Sequence, residues 1–226
     1  MGAGAKLRST TGARRPGVLF SQRRGRAGGR LACREYAIDN VAAIFDKTGA
    51  ILKGHFRLTS GRHTATYWEK FRILERPEYT EALSRMIAGH FAGQDIGLVA
   101  GPTTGGIILA HEVGRQMGLP AIYAERQAGG RAFRRGLKLA PGTIVLVVDD
   151  VLTTGKSIKQ VIAIVEKQGG VVAGIGVLVD RSPGDVDFDV PLYSCLRTAA
   201  ATYAPSECPQ CAAGVPLVTP GSSQQK

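Results

Sequence analysis

The sequence predicts an α/β domain whose central sheet is mostly parallel, and three observations carry that prediction. Residues 96–100, 144–148 and 171–179 are short apolar runs without polar alternation, as expected of strands buried on both faces. Stretches with apolar residues at helical spacing lie between and before them, Ile158, Val161, Ile162 and Val165 forming the clearest face. The junctions after the first two runs are rich in glycine and hydroxyls, which suits tight strand-to-helix turns. Buried strands alternating with amphipathic helices are the ingredients of parallel crossover units.

The N-terminus has a different character. Residues 1–34 hold nine Lys or Arg and no acid, so of the net charge of +11 only +2 belongs to the remainder. This Gly-, Arg- and Ser-rich stretch lacks an apolar period and is expected to be a disordered basic tail. It has no apolar core for a secretory signal, although Arg-rich, acid-free segments resemble transit peptides, and arginine clusters can bind nucleic acid non-specifically. A start site further along is a third reading, and a dispensable tail is the one favoured. The hydrophobic fraction of 44% is ordinary, and no apolar run approaches the ~20 residues of a membrane span.

From residue 35 a helix is expected, with Tyr36, Val41, Ile44 and Phe45 on one face and Gly49 as its stop. The alternating stretch 54–68 predicts extended segments about a turn at Ser60-Gly61. Pro77 suits the first turn of a helix reaching about Phe91, with Leu83, Met86, Ile87 and Phe91 inward. The strand at 96–100 then runs into Gly101-Pro102-Thr103-Thr104-Gly105-Gly106 and a helix ending near Gly118. A strand at 120–124 precedes residues 125–136, whose four arginines and three glycines describe a mobile cationic loop or ribbon. His90 and His111 are read as surface or packing residues. Four cysteines, Cys33, Cys195, Cys208 and Cys211, include one C-x-x-C and no second pair at zinc spacing. They are read as reduced and structural, since a four-ligand zinc site would need Cys33 or a distant histidine to fold back.

The chemistry concentrates at 144–158. The strand there ends on Asp149-Asp150, followed by Val151-Leu152-Thr153-Thr154-Gly155-Lys156-Ser157 and the helix face beginning at Ile158. Backbone N–H groups, hydroxyls and a helix N-terminus in one concavity suit a phosphate monoester. A triphosphate P-loop needs glycine where this chain has Asp150, and two carboxylates would repel a naked polyphosphate. A ribose 5-phosphate fits better, with the acids on the 2′- and 3′-hydroxyls, directly or through a metal, and residues 153–157 on the phosphate.

This run resembles the phosphoribosyl-pyrophosphate (PRPP) motif of the type I phosphoribosyltransferases. From about residue 35 to residue 222 the chain is similar to the orotate phosphoribosyltransferases among them, Ser60-Gly61-Arg62 and the following aromatics matching their N-terminal signature. The resemblance implies a phosphoribosyltransferase core at 96–196, with residues 35–95 (N-terminal helix and hood segment) and 197–226 (C-terminal hood segment and tail) building a small hood lobe. It implies PRPP contacts along 149–157 and at Thr104, Gly105, Arg126 and Arg131, and orotate contacts at Thr153, Arg181, Tyr67 and Trp68. Asp149, Asp150, Arg126, Arg134 and Arg135 are the implied catalytic residues, with Mg²⁺ bound mainly through PRPP. Departures are Thr59 before Ser-Gly-Arg, Thr104-Gly105 where many relatives have aromatic-Lys, and a loop with arginines in place of the usual lysines and histidine. Guanidinium can stabilise a leaving pyrophosphate but is a poor proton donor.

The implied reaction joins orotate and PRPP to give orotidine 5′-monophosphate and pyrophosphate in pyrimidine synthesis, in a cytoplasmic homodimer that shares its loop between subunits. No membrane or nucleic-acid partner is expected. Core packing competes with orotate contact as the reading of Tyr67 and Trp68, and an ion pair with Asp180 or Asp185 competes for Arg181. A transferase for another base and a non-catalytic PRPP sensor on the same fold are the rival functions.

Overall fold

Two sheets of unequal size divide the described chain between them. The computed structural model describes residues 41–58, 60–184, 186–198 and 201–220. The expectations for the basic tail, for Cys33, for the helix before Val41, and for Thr59 and Asp185 fall outside those residues.

The larger sheet contains β3 (Leu98–Pro102), β4 (Ala121–Gln127), β5 (Gly130–Phe133), β6 (Ile144–Leu152), β7 (Val171–Asp180) and β8 (Leu192–Arg197) in the order β5-β4-β3-β6-β7-β8. All neighbours pair in parallel except β5, which forms an antiparallel hairpin with β4. The stretch read as loop or ribbon is therefore, over residues 125–133, a hairpin turning at Ala128-Gly129. Period-two alternation assigns each core strand to two layers. Leu146 and Val148 of β6 face one layer with α1 (Val41–Lys47), α2 (Phe71–Leu74), α3 (Pro77–His90) and α4 (Gly105–Met117). Val145 and Val147 face the other, beside Ile158, Val161 and Val165 of α5 (Lys156–Lys167). A side chain at Gly174 or Gly176 of β7 would collide with Phe91 or Ile87, so α3 can lie flat on the sheet only with glycine there.

The smaller sheet has three antiparallel strands, β1 (Ile51–Arg57), β2 (His63–Trp68) and β9 (Thr202–Tyr203), in the order β1-β2-β9. Gly61 makes the β1–β2 turn at φ 81°, a conformation that costs glycine little. After β9 come a 3₁₀ turn (Pro205–Glu207) and α6 (Pro209–Ala212), and the chain then runs back along β1. Arg57 N–H donates to the Val218 carbonyl at 2.9 Å, and Val218 N–H donates to the His55 carbonyl at 2.8 Å. Of the segment before β3, β1 and β2 belong to this hood sheet, whereas α3 covers the larger one.

Candidate active site

Strand β6 continues through both acids to Leu152, four residues beyond its apolar run, because pairing with β7 persists to Leu152↔Asp180. Successive strand residues face opposite ways, so Asp149 and Asp150 straddle the end of the sheet rather than sharing a face. Asp149 is 5% exposed and Asp150 3%. On the α5 side, Asp149 accepts the Asp150 N–H at 2.9 Å and the Ser157 hydroxyl at 2.7 Å. Burial, then repulsion from Asp150, raises its carboxyl to about 7. On the α4 side, Asp150 accepts the Val151 N–H at 2.7 Å through Oδ1. Its Oδ2 has no aligned hydrogen bond among the described residues but lies 2.8 Å from the ammonium of Lys70 as a charge partner. Gly105 makes this position available, since a Cβ there would overlap Asp150 Oδ2.

The loop after the acids opens as a cleft of about 420 Å³ lined by Arg126, Gln127, Gly130, Arg131, residues 153–157 and Gln160. Gly155 takes φ 72° to turn the chain into α5, and no side chain among the described residues caps that helix. Its first N–H groups are thus available to an anion at the positive end of the dipole. Thr153 and Thr154 are exposed there. Facing them, the hairpin is strapped to the β3–α4 turn by Arg131, which donates to Thr103 Oγ1 (2.9 Å), the Ala124 carbonyl (3.2 Å) and the Thr103 carbonyl (3.3 Å). Desolvation and then Arg126 lower the affinity of Arg131 for its proton. Among the described residues its Nε is buried without a partner. The peptide bond between Thr103 and Thr104 is cis.

Arg181 follows β7, and its N–H donates to the Leu152 carbonyl at 2.8 Å, placing it beside the start of the loop. Among the described residues its guanidinium reaches only the Thr66 carbonyl, at 3.4 Å, and lies 5.8 Å over the Trp68 ring. Its Nε is buried without a partner among the described residues, and desolvation lowers its proton affinity. The neighbouring Asp180 is engaged elsewhere, by the Ser182 N–H and hydroxyl and by Arg197 at 3.5 Å. Trp68 is 8% exposed and packs edge-on against Phe45 at 5.0 Å. Tyr67 is half-buried, 5.6 Å from Phe56, and burial raises its hydroxyl.

The structure thus gathers residues 153–157, Arg126 and Arg131 around one cleft, with Asp149 joined to it through Ser157. Arg134 and Arg135 are exposed and do not line it, and Arg135 pairs with Glu125 at 2.7 Å. Two polar contacts were not foreseen, Lys70 on Asp150 and Thr103 on Arg131. Position gave the only available signal, Lys70 following the Tyr67-Trp68 pair and Thr103 preceding Thr104.

Clamped acids at a strand end, a hydroxyl-rich loop at a helix N-terminus and a hood over a parallel sheet define a type I phosphoribosyltransferase. The profile of the phosphoribosyl transferase domain family matches residues 72–202. The orotate phosphoribosyltransferase of Pelotomaculum thermopropionicum is 50% identical over 184 residues, covering 81% of this chain and 97% of that one. A crystal structure of orotate phosphoribosyltransferase from Aeropyrum pernix matches with TM-score 0.57 and 29% identity, over 70% of this chain and 93% of that one. Adenine phosphoribosyltransferase from Rhodothermus marinus shares the fold at TM-score 0.56 and 20% identity, over 70% of this chain and 100% of that one. The chain belongs to the orotate phosphoribosyltransferase family.

Proposed function

We propose that this chain transfers the phosphoribosyl group of PRPP to orotate, giving orotidine 5′-monophosphate and pyrophosphate. Because the fold also serves a purine enzyme, the choice of base must come from the site, and Arg181 is the observation that supports orotate. A half-buried guanidinium with one long hydrogen bond and no carboxylate partner among the described residues suits an incoming carboxylate. Orotate carries a carboxylate, whereas adenine does not. Thr153, at the start of the loop, is the second group assigned to the base.

In this reading, residues 153–157 and the N-terminus of α5 hold the 5-phosphate, and the turn at Thr104-Gly105 with Arg126 and Arg131 receives the diphosphate. The C1–oxygen bond to pyrophosphate breaks as N1 of the orotate anion, whose N1 proton has gone to solvent, bonds to C1, and the guanidinium groups stabilise the departing charge. Asp149 and Asp150, held at the ribose, offset positive charge building at C1. The acids fit a metal carried on the substrate better than one bound directly, because three of their four oxygens accept hydrogen bonds and the fourth faces Lys70. Mg²⁺ bound through PRPP would supply further charge neutralisation for the leaving diphosphate. Arg134 and Arg135 are assigned to closure of the hairpin, in a homodimer sharing that element. A cytoplasmic setting accords with the small-molecule substrates, and among the described residues no helix is long and apolar enough to cross a membrane. The test is PRPP-dependent loss of orotate absorbance with Mg²⁺, in the full chain and in a form starting at Glu35. Turnover by both supports the reading. PRPP binding without orotate consumption would move the function to another base or to a sensor.

A further inference from the structure

The hood brings together four side chains that the phosphoribosyl chemistry does not use. His55 of β1, His63 of β2, and Cys208 and Cys211 at the start of α6 each aim one donor atom at a common point, and these atoms all lie within 4.8 Å of one another. His55 Nε2 is 3.0 Å from His63 Nδ1, 3.5 Å from Cys208 Sγ and 3.6 Å from Cys211 Sγ, and Cys211 Sγ is 3.2 Å from His63 Nδ1. A tetrahedral ion with metal–sulfur bonds of about 2.3 Å and metal–nitrogen bonds of about 2.0–2.1 Å separates its ligand atoms by about 3.3–3.8 Å. The observed spacings scatter around that range.

We propose that His55, His63, Cys208 and Cys211 form a structural zinc site. His55 Nδ1 lies 2.7 Å from the Val215 carbonyl, so it carries the proton and leaves the Nε2 lone pair directed into the cluster, as the hydrogen bond on the far ring nitrogen does for metal-bound histidines. Three neighbouring groups then compete for one lone pair, a poor hydrogen-bond network but a complete ligand set. Two thiolates and two imidazoles at tetrahedral spacing select zinc among common divalent ions. His55, His63 and Cys208 are buried and Cys211 closes the site at the surface, so no position remains for a substrate. The reading of these cysteines as reduced structural residues lacked the two histidines, which reach them from about 150 residues away in sequence. The site would pin the C-terminal segment to a three-stranded sheet too small to hold it firmly by apolar burial alone.

Metal content of the untagged full-length protein, purified from zinc-supplemented medium, tests this. About one zinc per chain is expected, falling more than about tenfold in Cys211→Ser, whose exposed position spares the buried packing. Because a variant can fail for reasons of folding, the wild-type protein reloaded with cobalt provides a second reading. It should show the visible bands of a tetrahedral centre and a thiolate charge-transfer band in the near ultraviolet. Less than about one-tenth zinc per chain with no such cobalt spectrum would overturn the proposal. A Cys208–Cys211 disulfide in natively purified protein, or full zinc content in a Cys208→Ser/Cys211→Ser double variant, would do so equally.

Discussion

Replacing Arg181 with glutamine keeps most of the side-chain volume and removes only the charge and the fork of donors. Among the described residues that guanidinium has one 3.4 Å hydrogen bond and its Nε is buried without a partner, so its loss should leave the melting temperature of the free protein unchanged or slightly higher. With orotate bound, the same change strands a carboxylate in the site. Losing one member of a buried charge pair costs about 2–5 kcal/mol, and the partial exposure of Arg181 argues for the lower part, about 2–4 kcal/mol. At about 1.36 kcal/mol per tenfold, kcat/KM for orotate should fall roughly 30- to 1,000-fold. Uracil, which is orotate without the carboxylate, should lose no more than about threefold. Steady-state rates with both bases at saturating PRPP make the comparison. Equal losses for the two would refute carboxylate recognition by Arg181 and return the residue to a packing role.

Three further outcomes are expected. Because the Asp149 carboxyl is raised in the folded protein, its contribution to stability is full below the unfolded value near 4 and is lost as pH rises toward about 7. Asp149→Asn should therefore gain on the wild type by a few kcal/mol across that interval in melts without ligand, while turnover collapses, and a pH-independent difference would remove the argument. Gly105→Ala places a methyl group on the Asp150 carboxylate and disturbs the Lys70 pair, so stability should fall by roughly 2–4 kcal/mol. Combining it with Asp150→Ala should recover most of that loss, and strictly additive effects in thermal melts would contradict the contact. Among the loop arginines, Arg131→Lys should raise KM for PRPP at least about tenfold by releasing the hairpin from Thr103, whereas Arg135→Ala should leave the melting temperature essentially unchanged. An unchanged KM in Arg131→Lys, or a clear loss of thermal stability in Arg135→Ala, would mean that the hairpin works in another orientation.

Where pattern and packing agree, the sequence was legible. The β6 run has apolar residues on both faces, Gly155 turns it into α5, and the α5 face has a helical period, so the loop between them could be placed from local spacing alone. The continuation of β6 through Asp149 and Asp150 could not, because it depends on pairing with β7 and the apolar pattern has already ended. Trp68 shows a second limit. An aromatic residue in an alternating strand reads the same whether it meets a ligand or a core, and here it meets Phe45 on one side and the Arg181 guanidinium on another. Lys70, and the histidines that meet Cys208 and Cys211, were hidden for a different reason. Their partners lie 80 to about 150 positions away, so no window of local sequence contains both halves of the contact.

The hood's strands flank the core in sequence, β2 at residues 63–68 meeting β9 at residues 202–203. Closing that loop in an unstructured chain is entropically costly, and a two-residue strand returns little for it. Pairing of β2 with β9 therefore depends on the larger sheet bringing both flanks to the same place, whereas the β1–β2 hairpin is local and needs no such help. Thr66, Tyr67 and Trp68 beside Arg181 are carried on β2, the strand that makes both pairings. If Arg181 receives the base as proposed, occupancy there would report on whether the two flanks of the chain have come together.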